Sequence, residues 1–330
     1  MEIGTKLSFA GKIFPNKFYD SFFIGEYGKI EALRATRYNS TFSIVLISIE
    51  AAGISFEEGA GFEQFKALVK TVLDSVRNCD VVGMSDDAQI TVILPETDHF
   101  GSLTAIRKIS RALGVHIKKD KAPISVIISN ATYPKDGRGY GEVLSTAIRR
   151  GAEKKESLWE RLNFKNKLFW EILGDLSGKP YSGLDNSSFD AGSGQELNEF
   201  FIDQINNLIV KEISRTPQKK GILYFASKNI SKGLVKLLGS AGAMSSKIFL
   251  VGETDSGAAD IKNATPILLD DPRLRETFFT LFLNEDAGYG LICKENWGAT
   301  FTCFHTSDPF LVEGLITKLQ NEYSLQEQLG

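Results

Sequence analysis

The stretch that most constrains this chain is residues 77–95, RNCDVVGMSDDAQITVILP. Val81-Val82 and Ile90 to Leu94 are β-branched, apolar runs of strand length. Ser85-Asp86-Asp87 between them is turn chemistry, because short polar side chains satisfy nearby backbone N–H groups. The pattern predicts a β-hairpin that holds a polar tip out from two buried strands, and the flanking segments fall into register around it.

Upstream, residues 16–38 place Phe18, Phe22, Phe23, Tyr27, Ile30 and Leu33 at helical spacing, and residues 42–50 read as a buried strand. Residues 62–76 predict an amphipathic helix with Phe65, Leu68, Val69, Val72 and Val76 on one side, which delivers Arg77 and Asp80 to the surface just before the hairpin. Downstream, residues 101–113 predict a helix that points Leu103, Ile106 and Ile109 inward and gathers Arg107, Lys108 and Arg111 outward. A strand over 124–130 follows, then a closing helix over 142–164 that runs on through Trp159 and Leu162 to Trp170 and Leu173.

Residues 177–195, rich in Gly, Ser, Asp and Asn, read as a linker. Beyond it the pattern predicts helices over 197–214, 232–238, 273–284 and 310–323, with strands over 222–226, 248–252, 266–269, 289–294 and 300–305. The expected fold class is α/β in both halves. The division is a first domain over 1–160, a helical extension and linker over 161–195, and a second domain over 196–330.

Three hundred and thirty residues suffice for two ordinary cores, and 24% charged with 42% apolar residues is a globular composition. A net charge of -3 disfavours a nucleic-acid partner. Three cysteines, Cys79, Cys293 and Cys303, show no CxxC spacing and point to a reducing compartment, with Cys293 and Cys303 expected as inert core thiols. No apolar run is long enough to span a bilayer, and the opening Met1-Glu2-Ile3-Gly4 does not read as a signal peptide, so a cytoplasmic protein without membrane insertion is expected. His99, His116 and His305 lack metal spacing and read as solvent-facing or capped. The Gly-rich stretches at 239–242 and 256–258 match no phosphate loop.

The hairpin resembles that of the GGDEF family of diguanylate cyclases, which carries Gly-Gly-Asp/Glu-Glu-Phe at its tip and an Arg-x-x-Asp pair upstream. The tip here is Asp86-Asp87-Ala88-Gln89-Ile90, and the upstream pair is intact as Arg77 and Asp80 at the family spacing. The family's glycines let GTP lie against bare backbone and its acidic residue holds Mg²⁺. Asp86 and Asp87 instead put negative charge toward the phosphates, Ala88 cannot ligate a metal, and Gln89 has the size of Glu without its charge. The family's Asp-Ile-Asp is Ser48-Ile49-Glu50, its guanine-reading Asn-Asp falls on Phe56 and Glu57, its Gly-Asp falls on Gln64 and Phe65, and its opening Asp-x-Leu-Thr is absent from residues 8–15. The last 60 or so residues, with LRETFF at 274–279 and FHTSDP at 304–309, resemble the end of a DICT domain, a sensory-type module found beside diguanylate cyclases and two-component proteins.

The resemblance implies a GGDEF-type mixed sheet flanked by helices, a degenerate active site, no catalytic residue, no metal and no cofactor. It also implies that Arg77 and Asp80, with Arg34 and Lys108 at two further basic positions of the family's inhibitory site, bind cyclic di-GMP. The family's stacked dinucleotide cross-links domains, so a ligand-linked homodimer is an implied state. The expected function is a non-catalytic cyclic di-GMP effector in bacterial signalling. The alternative is a ligand-independent scaffold that docks a response regulator, kinase or polarity protein, with recruitment to a polar or membrane-associated complex through that partner.

Overall fold

Strand β2 (Phe42–Ala51) is the spine of the first half, because its apolar run Ile44 to Ile47 is buried on both faces. It pairs antiparallel with β4 (Ile90–Pro95) on one side and β5 (Ile124–Tyr133) on the other. The hairpin partner β3 (Val81–Met84) lies outside β4, and a two-residue strand, β1 (Phe18–Tyr19), runs parallel to β3 at the edge, giving the order β1-β3-β4-β2-β5. The computed structural model describes residues 15–51, 56, 59–85, 89–120, 124–178, 191–227, 232–252, 261–296 and 300–325. Asp86, Asp87, Ala88, Glu57, residues 8–14, residues 179–190 and the Gly-rich stretch at 256–258 lie outside the described residues.

Helices α1 (Ser21–Tyr38) and α4 (Tyr140–Glu156) cover one face of this sheet. The other carries α2 (Gly59–Ser75) and α3 (His99–Asp120), which pack on each other. The apolar spacing in α1 misjudges its buried side: Ile24, Gly28, Glu31, Ala32 and Ala35 face inward, while Phe22, Ile30 and Leu33 are 77%, 61% and 71% exposed. Small residues are chosen there because α1 and α4 approach closely. A Cβ on Gly28 would lie 2.2 Å from the Tyr140 ring. The basic face expected of α3 is also corrected, since Arg107 is only 7% exposed while Lys108 and Arg111 are exposed.

The loop after β5 is held by an ion pair. Asp136 accepts from the Thr132 N–H at 2.8 Å and from both Nη atoms of Arg150 at 2.8 Å, while Arg150 also donates to the Asn130 carbonyl at 3.0 Å. Nearby, His99 is half-buried rather than solvent-facing, with Nδ1 3.4 Å from Asn130 Nδ2 and its ring edge-on to Phe100. Burial, with the charges of Lys135 and Arg150, lowers its pKa to about 4 against the opposing pull of Asp136 and Asp98. Above the ordinary value of 6.5 both folded and unfolded states are neutral. As pH falls below it the unfolded chain takes up a proton that the folded chain refuses, and stability declines until pH about 4. We expect a loss on the order of 2 kcal/mol across that window, discounted for partial exposure. It should be visible as a falling urea midpoint and be largely absent in His99→Gln.

The chain divides into two compact units after Glu156. The sequence-based boundary at residue 160 and the extension to residue 195 thus fall within the second unit. The closing helix is not continuous: it breaks at Ser157, resumes as α5 (Leu158–Arg161) and a 3-10 turn, and ends as α6 (Phe169–Gly178). Within the stretch read as linker, β6 (Ala191–Asn198) is a strand.

The second unit is a seven-stranded mixed sheet. Its order is β6-β12-β11-β10-β7-β8-β9, with β7 (Gly221–Ala226), β8 (Ser246–Gly252) and β9 (Thr265–Leu268) parallel, and β10 (Thr277–Asn284), β11 (Gly288–Glu295) and β12 (Thr300–Thr306) antiparallel. The helix predicted over 273–284 is therefore corrected to a 3-10 turn at Pro272–Arg275 followed by the central strand β10. Helices α7 (Glu199–Arg215) and α8 (Lys232–Ser240) cover one face, and α6 with α9 (Pro309–Glu322) cover the other. Cys293 and Cys303 sit opposite one another on β11 and β12, both buried.

Candidate functional site

The two ends of the β3–β4 hairpin differ in chemistry. At the tip, Ser85 N–H donates to the Gln89 carbonyl at 2.9 Å, which closes the turn. Gln89 Nε2 then reaches from the start of β4 to Ser48 on β2 and donates to its Oγ at 2.9 Å. This is a neutral amide–hydroxyl contact, and neither side chain supplies the anionic oxygen a hard divalent cation seeks. Phe56 is 4% exposed and packs against Phe65 at 5.6 Å between ring centres, so it is a core residue. Among the described residues, no group of three or more His, Cys, Asp or Glu side chains is placed to hold a metal ion.

At the base, α2 ends at Ser75 and residues 77–80 make a tight turn into β3. Asp80 does not pair with the Arg77 guanidinium. Its Oδ2 accepts from the Arg77 backbone N–H at 2.7 Å while its own N–H donates to the Arg77 carbonyl at 3.1 Å. The carboxylate thus fixes the turn, and the exposed Arg77 guanidinium makes no hydrogen bond or ion pair among the described residues. Burial raises the Asp80 pKa above its ordinary value, opposed by the Arg77 N–H and by the charges of Arg77 and Lys108. Lys108, exposed on α3, is therefore near enough to act on Asp80, and the structure brings Arg77, Asp80 and Lys108 together.

Arg34 on α1 is differently placed. Its Nε and Nη2 donate to Glu31 at 2.8 and 2.7 Å and its Nη1 donates to Glu96 at 3.2 Å. The Glu31 side chain is 4% exposed, so Arg34 serves first as the counter-ion of a buried carboxylate, whereas Glu96 is 69% exposed. These carboxylates raise the guanidinium pKa still further above its ordinary value. Spacing alone identified Arg34; it did not show the carboxylates that already engage it.

Tyr27 is the residue that sequence reasoning missed in this place. Burial raises its pKa, as do Glu31 and Asp80, while Arg34 lowers it, which puts the phenol among the charged groups at the hairpin base. It is the last of three aromatics in a row: Tyr19 of β1 stacks on Phe23 of α1 at 4.2 Å and Phe23 on Tyr27, one helical turn on, at 6.1 Å. The four-residue spacing of 19, 23 and 27 was the available signal; Phe23 and Tyr27 were read as part of an apolar helix face and Tyr19 was passed over. Such a ladder offers π-faces to a planar base beside a cation and a carboxylate.

No protein-family model matches the chain, and no curated protein sequence matches it. Solved structures do show similarity. The solved neighbours are GGDEF domains. One is the GGDEF domain of YfiN (TpbB) from Pseudomonas aeruginosa, with 14% identity over 42% of this chain and 91% of that one, at a TM-score of 0.35. Another is the active GGEEF domain of a diguanylate cyclase from Vibrio cholerae, with 13% identity over 42% of this chain and 90% of that one, at a TM-score of 0.38. A third is the coiled coil and GGDEF domain of DgcB from Caulobacter crescentus, solved in complex with c-di-GMP, with 11% identity over 42% of this chain and 77% of that one, at a TM-score of 0.35.

Proposed function

We propose that the first unit is a degenerate, non-catalytic GGDEF-like domain that binds cyclic di-GMP at the base of the hairpin and signals through protein contacts. The observation that carries this reading is the arrangement of Arg77 and Asp80: the carboxylate fixes the turn and leaves the guanidinium presented to solvent. Guanine offers acceptors at O6 and N7 and donors at N1 and N2, so a cation and a carboxylate side by side read complementary edges. Lys108 adds a positive charge for a phosphate, the aromatic row a stacking face, and Arg34 its Nη1 donor once the exposed Glu96 swings aside. The neutral Gln89–Ser48 contact supports loss of catalysis, because it occupies the place where the resemblance requires a metal ligand. Binding then acts by population shift, on an output surface whose two states the ligand binds unequally.

The second reading, a ligand-independent docking scaffold for a signalling protein, is favoured by the outward apolar stripe Phe22, Ile30 and Leu33 on α1. Calorimetric titration separates the two. Wild type is expected to bind cyclic di-GMP and not GTP, and Arg77→Ala to lose about 2–4 kcal/mol, since a charge-assisted bidentate contact disappears. Lys108→Arg is expected to bind at least as well as wild type, because it restores the planar fork. Incubation with GTP and Mg²⁺ is expected to give no cyclic di-GMP. Wild type that binds no better than Arg77→Ala leaves the scaffold reading in its place.

A further inference from the structure

Helix α1 turns three large apolar side chains away from the sheet it covers: Phe22 and Leu33 are 77% and 71% exposed, and Ile30 lies between them at 61%. Two charged residues share that outer side. Glu26 and Lys29, with half or more of each side chain exposed, form an ion pair of 2.7 Å one turn apart. At about 100° per residue, Phe22, Glu26, Lys29 and Leu33 fall within an arc of about 60°. Their spacing of four, three and four residues is that of the seam in a two-helix coiled coil, where positions seven apart are equivalent.

These four positions are symmetric about a point between Tyr27 and Gly28. Laid antiparallel against a second copy of itself, α1 brings Phe22 level with Leu33 and Glu26 level with Lys29, so each pair occurs twice. A parallel pairing would instead set Glu26 on Glu26 and Lys29 on Lys29, and like charges facing each other in a seam repel. The charge pattern thus fits a second copy in one orientation. Ile30 widens the apolar contact on one flank. The helix has 18 residues, about 27 Å, which is only about two heptads of seam, so the association is reversible and sensitive to dilution.

We propose that α1 is a homodimerisation surface, pairing antiparallel with α1 of a second copy through two Phe22–Leu33 contacts that flank a doubled Glu26–Lys29 ion pair. The contact needs no nucleotide, which separates it from the ligand-linked dimer that the family resemblance implies. The test is sedimentation velocity of the full chain, stripped of nucleotide, over a concentration series. Wild type is expected to pass reversibly from monomer to dimer. Leu33→Asp puts a charge against the partner's phenylalanine ring and is expected to weaken the dimer at least tenfold, with an unchanged circular dichroism spectrum because the position is exposed. Glu26→Lys and Lys29→Glu each set like charges against one another across the seam and are expected to dimerise less than wild type. Mixed in equal amounts, these two variants present two positive charges to two negative ones and are expected to regain the dimer. A monomer at every concentration overturns the proposal and leaves the stripe to a different protein. So does a Leu33→Asp dimer as tight as wild type, or a mixture of the two charge variants that associates no better than either alone.

Discussion

Asp136→Ala is expected to lower the stability of the first unit by about 3 kcal/mol, the scale on which a buried ion pair is broken by removing one partner. The Asp136 and Arg150 side chains are 6% and 21% exposed, so the guanidinium left behind keeps the Asn130 carbonyl but loses its carboxylate in a poorly hydrated place. The Thr132 N–H loses its acceptor as well. Asp136→Asn retains an oxygen for Thr132 and is expected to fall between alanine and wild type. The readout has to be far-UV circular dichroism or hydrogen exchange in β5 and α4, because all three tryptophans, Trp159, Trp170 and Trp297, lie in the second unit. Burial alone would raise the Asp136 pKa, but the Arg150 and Thr132 contacts more than offset it and the net shift is downward. Its stabilisation is therefore complete above the ordinary carboxylate pKa and disappears as pH falls through the lower folded value. A loss below about 1 kcal/mol would reduce the pair to the worth of a surface salt bridge.

Phe169→Ala is expected to cost the second unit about 3–5 kcal/mol, the range for emptying an aromatic site in a close-packed core. Phe169 is fully buried, meets Phe279 of β10 and Trp170 edge-on at 5.3 Å each, and donates its backbone N–H to Glu322 at 2.9 Å. It therefore couples α6 to both the central strand and the last helix. Phe169→Leu should lose only about 1–2 kcal/mol, since most of the volume is kept. Urea unfolding followed by tryptophan fluorescence checks both variants, with circular dichroism to separate unfolding from a local change around Trp170. A Phe169→Ala protein as stable as wild type would mean that α6 contributes nothing to this core.

Elements whose periodicity matches their burial were legible: the hairpin, β2, α2, and the β7 and β8 strands all lie within a few residues of their predicted bounds. What failed, failed for physical reasons. TFFTLFLN at 277–284 is buried at every position from Phe278 to Leu283 because β10 is covered on both faces, and a strand buried on both faces shows no alternation to mark it. Its three phenylalanines and two threonines were the better guide. β6, with Ala-Gly-Ser-Gly-Gln-Glu, has the composition of a linker and is a strand only because β12 offers it an edge. In α1 three of the five buried residues are Gly28, Ala32 and Ala35, and Gly28 is set by how closely the Tyr140 ring approaches, which no single helix reveals. At the candidate site, spacing placed Arg77, Asp80 and Lys108 in one neighbourhood, but the Glu96 partner of Arg34 lies 62 residues away in sequence and could not be read locally.

The pairing of β6 with β12 also orders events on the ribosome. Asn198 pairs with Thr300 and Ala191 with Thr306, so β6 emerges about a hundred residues before the strand that completes it. At a synthesis rate of about 5–20 residues per second, that is an interval of roughly 5–20 s. All five strands of the first sheet lie between Phe18 and Tyr133, and this unit is free to fold long before then. During the interval the nascent second unit holds its central strands without an outer edge, the condition in which unpaired strands recruit other chains. Slower translation between residues 199 and 300 would lengthen that exposure, and the yield of intact protein is expected to fall with it.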